Sequence, residues 1–195
     1  MNATLTKGRI PPLSPVIMAR MAGVFWLMTI LAGTLAMFAG RGGAGSAANL
    51  AATAFYMAAT LVVYLLLKPV NRNVSFLAAF SSLLGCTIGT LRLLGLGSLP
   101  DISFVLFGVH CFLIGCLILR SSFLPRTIGA LMLLGGLGWL TLGLSSLLSP
   151  PLASSLNPYI LVPGIVGEAS LTLWLLVAGV DAQRWEEQAR AKEQP

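Results

Sequence analysis

The chain has 195 residues, of which 56% are hydrophobic and only 9% charged, with a formal net charge of +6. Soluble domains carry roughly 25% charged residues, and so little polar cover cannot shield this much apolar surface from water. A soluble fold is excluded, and the sequence between the apolar runs is too short for a second domain.

Residues 1–16 are polar, hold Lys7, Arg9 and three prolines, and read as a short cytoplasmic tail. The first apolar run, about Ile17 to Ala39, is longer than the ~7–15-residue core of a signal peptide and carries Arg20 near its start, so an uncleaved helix is expected. The second, about Ala47 to Leu67, stops at Lys68-Pro69, where proline cannot continue a helix. The third runs from about Val74 to Gly97 and contains Arg92. The fourth, about Ile102 to Leu119, contains His110 and lies near the lower limit of ~17–25 residues for a spanning helix. The fifth covers about Thr127 to Leu148. The sixth covers about Tyr159 to Val180 and contains Glu168, with Pro163 marking its start or a kink. The tail, 181–195, is expected to be partly helical, with Glu186 and Arg190 spaced for an i,i+4 pair and Trp185 at headgroup level. The links 40–46 and 149–158, rich in Gly and in Ser and Pro, are expected to be irregular.

The expected fold is therefore all-α, a polytopic bundle of six transmembrane helices over residues 17–180 with a short tail at each end. With the N-terminus inside, Lys7, Arg9, Lys68, Arg72, Arg120, Arg126, Arg184, Arg190 and Lys192 fall on the inner side and Arg41 alone on the outer side. That asymmetry places both termini in the cytoplasm and the chain in the inner (plasma) membrane. It also accounts for the basic pI without nucleic acid, since no basic stripe interleaves with exposed aromatics.

Small residues recur at spacings that let helices approach: Gly85 and Gly89 on the third helix, and Gly129, Gly135, Gly136, Gly138 and Gly143 on the fifth. Cys86, Cys111 and Cys116 all lie in apolar runs and read as packing thiols rather than a disulfide framework.

Ionisable groups within lipid are costly and each needs a partner or a function. Arg20 can snorkel to the inner headgroups. At ~1.5 Å rise per residue, Arg92, His110 and Glu168 come to similar depth, roughly 8–13 Å below the outer helix ends. Two readings remain open. One is a structural Arg92–Glu168 bridge with His110 as a hydrogen-bonding third member. The other is a small polar site reached from outside, binding an anionic or headgroup ligand or relaying a proton, with Ser103 and Phe107 on the His110 face lining it. Enzyme signatures are absent. A single histidine excludes a His-Glu-x-x-His zinc site and bis-histidine haem, and no Cys-x-x-Cys, Gly-x-Ser-x-Gly or phosphate-binding glycine loop occurs. No metal, cofactor or catalytic residue is assigned. The expected partners are membrane lipids, a small-molecule or ion ligand, and a further copy of the chain. The rivals are an intramembrane enzyme using His110 and Glu168 on a lipid-borne substrate, and a structural subunit without ligand.

The stretches RMAGVFWLMTILAG, YLLLKPVNRNVSFLAAF, FGVHCFLIGCLILRSSFLPRTIGALMLLGGLGWL and GEASLTLWLLVAGV, in that order, resemble a bacterial family of small membrane proteins known only as domain of unknown function 4386. The resemblance runs from about Arg20 to Val180 and is most specific around RSSFLPR. It takes in His110 and Glu168 but not Arg92. It implies a six-helix membrane fold and supplies no activity, substrate or cofactor.

Overall fold

The computed structural model describes residues 14–40, 42–96, 102–157 and 159–192, and these form helices joined by short links, without strands among the described residues. Lys7, Arg9 and Arg41 lie outside the described residues. The helices are α1 (Pro15–Ala39), α2 (Gly43–Leu67), α3 (Arg72–Leu93), α4 (Ser103–Arg120), α5 (Arg126–Leu148), α6 (Pro150–Leu156), α7 (Leu161–Val177) and α8 (Ala182–Ala191). Their boundaries follow local chemistry. Pro15 stands at the first position of α1, where its missing N–H costs nothing. The Asn71 side chain accepts from Asn73 N and Val74 N, both at 3.1 Å, to cap α3.

Helices α1 to α5 are each long and apolar enough to cross a membrane, and α6 with α7, bent by 58° at the break between them, pass the same test only when the bent pair is taken as one span. Their outward faces are apolar: Leu31, Leu35, Phe76, Leu134 and Leu173 are all exposed. Such a surface is stable only against lipid. The chain is an all-α, multi-pass membrane protein.

Each long helix packs on the next in sequence, and α7 returns to α1, so the six close a ring in chain order. The ring's two ends meet: Leu176 of α7 packs at Gly23 of α1, and Val16 lies beside Gly179. The start of α1 and the end of α7 are therefore at one end of the bundle.

Glycine sets the tightest seam. Gly108 and Gly115 of α4 face Gly129, Gly136 and Gly143 of α5, an antiparallel arrangement in which the glycines of each helix recur every seven residues. A Cβ at Gly136 would lie 2.5 Å from Phe112 N, and one at Gly108 2.6 Å from Leu140 N. Backbones this close gain van der Waals contact that larger residues would forbid. Gly135 and Gly138 use another face of α5 to admit α7 at Pro163 and Gly164. Gly85 and Gly89 of α3 similarly admit the start of α4 at Ser103.

Two expectations need correction. The link 149–158 is not wholly irregular, because Pro150–Leu156 forms α6 against α5. The glycine-rich link is shorter than expected, since α2 already starts at Gly43, and Gly45 lets it pass close to the Gly40 carbonyl. Trp185 is tied to the bundle. Its Nε1 donates to Leu66 O at the end of α2, 2.8 Å away. Around it α8 clasps the α4–α5 link: Gln188 Oε1 accepts from Ser122 N at 3.1 Å and Gln188 Nε2 donates to Arg120 O at 3.3 Å. The Arg190–Glu186 pair forms at 3.2 Å on the exposed side.

Candidate functional site

Glu168 sits on the inward face of α7, seven residues after Leu161. Its carboxylate is held between two indoles from α1 and α5, the helices that flank α7. Trp26 Nε1 of α1 donates to Oε2 at 3.1 Å and Trp139 Nε1 of α5 donates to Oε1 at 2.9 Å. Trp26 is fully buried, so its N–H has nowhere else to turn. Among the described residues no cation is ion-paired with this carboxylate, and Arg92 in particular is not. The expected Arg92–Glu168 bridge is replaced by a pair of neutral donors.

A cavity of about 570 Å³ opens in front of the carboxylate. Glu168 and Trp139 line it together with Thr29 of α1, Asn49, Thr53 and Tyr56 of α2, Ser82, Cys86 and Arg92 of α3, and Ser103, Phe104 and Phe107 of α4. All six ring helices contribute. Asn49, Arg92, Leu93 and Phe104 are exposed and mark the mouth, at the end of the bundle away from the chain termini. From Arg92 back to Ser82 the cavity runs roughly 15 Å along α3 at ~1.5 Å per residue. Its size suits a small organic ligand.

The wall beside the carboxylate is aromatic. Phe104 stacks on Trp139 with ring centroids 5.8 Å apart, Phe107 meets Trp139 edge to face at 5.1 Å, and Tyr56 meets Phe107 at 5.0 Å. Tyr56 is 5% exposed, and its hydroxyl makes no well-formed hydrogen bond among the described residues. A buried phenolic hydroxyl ordinarily has one. Neighbouring Ser82 is already engaged with Thr60 at 2.8 Å.

The five residues singled out by sequence are thus divided. Glu168, Arg92, Ser103 and Phe107 border one cavity, but Arg92 stands exposed in the last turn of α3, at the mouth and not at the depth of the carboxylate. His110 does not line it. It is buried behind Tyr56, Phe107 and Trp26, with ring centroids 5.7, 6.4 and 6.3 Å away, and Nδ1 lies 2.8 Å from Ala78 O. Since a carbonyl only accepts, Nδ1 is the donor, which ties α4 to α3. His110 Nε2 has no partner among the described residues, and Glu168 is not bonded to it. Sequence reasoning missed Trp26, Trp139 and Tyr56. The signal was their depth: each lies roughly 15–20 Å from the start of its helix, where an indole or phenol must find a partner inside the protein. Among the described residues no three of His, Cys, Asp and Glu gather as a metal would need.

The segment that carries the carboxylate and part of its aromatic wall shows likeness to known sequences. Residues 97–179 match the model of domain of unknown function 4386. That stretch includes Ser103, Phe104, Phe107, His110, Trp139 and Glu168. An uncharacterised protein of Archaeoglobus fulgidus is 28% identical over 128 residues, covering 61% of this chain and 74% of that protein. No solved structure matches. The likeness to domain of unknown function 4386 agrees with an all-helical membrane fold and brings no activity with it.

Proposed function

We propose that this chain binds a small molecule, ion or lipid headgroup in its ring-enclosed cavity, as a binding, sensing or transport protein of the inner (plasma) membrane. The cavity opens to the outside and both termini face the cytoplasm. The observation that carries the reading is the convergence of all six ring helices on a cavity of about 570 Å³ with a carboxylate at its inner end. A bundle built only for packing would collapse such a space, because voids in membrane proteins forfeit contacts without gain. The orientation rests on charge. Lys68, Arg72, Arg120, Arg126, Arg184 and Arg190 all sit at the termini end, and basic links resist translocation.

A single-cysteine experiment tests both claims. In a Cys86→Ser, Cys111→Ser, Cys116→Ser background, Thr53→Cys places a thiol on the cavity wall. A membrane-impermeant maleimide should label it in intact cells. Labelling only after permeabilisation would overturn the outward opening, and no labelling in either state would overturn the open cavity.

A further inference from the structure

We propose that the ligand of this cavity is an organic ammonium cation with an apolar or aromatic body. The inference deepens the binding reading above and rests on it. It starts from a missing charge. A carboxylate inside a membrane bundle is ordinarily matched by a cation, yet among the described residues Glu168 receives only the two neutral indole N–H groups, one on each oxygen. A carboxylate offers about four lone-pair sites, so two bonds leave capacity for a third donor. Glu168 is half-buried and lines the cavity, so that capacity faces the ligand space.

The rest of the wall selects the same chemistry. Phe104, Phe107, Trp139 and Tyr56 form a continuous aromatic surface beside the carboxylate. Aromatic faces attract cations lying within about 6 Å of the ring, and most strongly where water is excluded. The Tyr56 hydroxyl is buried on the same wall without a well-formed hydrogen bond among the described residues, and its oxygen can accept from an ammonium N–H. An anion would meet the Glu168 carboxylate in a poorly screened setting and be repelled. Arg92 does not reverse this sign, since it is exposed at the mouth, where water and salt screen it over roughly 8–10 Å.

The test uses three probes of one shape in full-length protein purified in detergent: phenethylammonium, 2-phenylethanol and 3-phenylpropionate. Binding is read by quenching of tryptophan fluorescence, since Trp26 and Trp139 hold the carboxylate. Phenethylammonium should bind at least about tenfold more tightly than the alcohol, with the propionate weakest. Glu168→Gln should erase the preference for the cation while leaving the alcohol's affinity within about threefold. Should that variant fail to fold, Phe107→Leu, which keeps the carboxylate, should weaken the ammonium alone by about threefold to tenfold. Equal binding of all three probes, or preference for the propionate, would overturn the cation assignment and leave the cavity as a binding site. Absence of saturation by any probe, with Thr53→Cys labelled as above, would overturn the cation assignment alone. Absence of both would remove the site itself.

Discussion

At Glu168 the two indole hydrogen bonds make a specific forecast. Glutamine keeps the size of the side chain but presents an amide N–H to one of the two indole N–H groups, leaving a donor facing a donor. An unsatisfied donor in so buried a place costs about 1–3 kcal/mol, so Glu168→Gln should lower the melting temperature in detergent by several degrees. Arg92→Gln should change it little, under about 1 kcal/mol, because an exposed cation in a last helical turn contributes at most a screened surface interaction. Equal losses for the two variants would mean that the carboxylate and the guanidinium act as a pair after all. Sequence pattern made Glu168 legible, since a lone acid in an apolar run stands out. It did not make Trp26 and Trp139 legible as its partners. Tryptophan in membrane proteins commonly marks the interface, and spacing along one helix does not reveal which side chain another helix turns toward it. His110 illustrates the same limit. Its depth was readable, but its hydrogen bond to Ala78 O depends on how α3 and α4 face one another.

Among the elements, the α4–α5 seam is the most demanding. Gly136→Ala would press a methyl onto the Phe112 backbone, at 2.5 Å from its nitrogen, and overpacking of this kind costs typically about 1–3 kcal/mol. Gly33 in α1 has nothing within 4 Å of a Cβ position, so Gly33→Ala should be neutral or stabilise by up to about 1 kcal/mol through helix propensity. Thermal unfolding of the two variants side by side separates close packing from propensity. The order of the long apolar helices was readable because lipid forces long continuous apolar runs. The α5 glycines were visible in sequence too, but their division between two neighbours was not: Gly129, Gly136 and Gly143 serve α4, while Gly135 and Gly138 serve α7. Short α6 escaped notice because Ser- and Pro-rich sequence ordinarily signals a loop, while Pro150 and Pro151 occupy the first turn, where proline is tolerated. The α8 clasp was half legible. Its Arg190–Glu186 pair follows from spacing, but the reach of Trp185 to Leu66 O, 119 residues away, does not. Trp185→Phe removes that bond, at a cost of about 1 kcal/mol, and should release α8 to faster tryptic cleavage at Arg184 and Arg190.

For the molecule as a whole, the ring closes in chain order, so neighbouring helices are antiparallel and short links suffice. Closure divides the two ends by chemistry. The termini end carries the basic links and the α8 clasp, which fastens the end of α2 to the α4–α5 link. The opposite end carries the cavity mouth, with Arg92 as its exposed cation among the described residues. The seam glycines are consumed inside the ring. The two ends of the bundle therefore differ, with the α8 clasp at one and the cavity mouth at the other. That asymmetry fixes a topological forecast. Alkaline phosphatase, active only outside the cytoplasm, should be active when fused after Asn157, in the α6–α7 link, and inactive when fused after Pro69 or Ser122. The reason is the same positive charge that sequence displayed: Lys68, Arg72, Arg120 and Arg126 flank the two inactive positions, and basic links stay on the cytoplasmic side. The reverse pattern of activities would turn the cavity toward the cytoplasm and make any ligand an intracellular one.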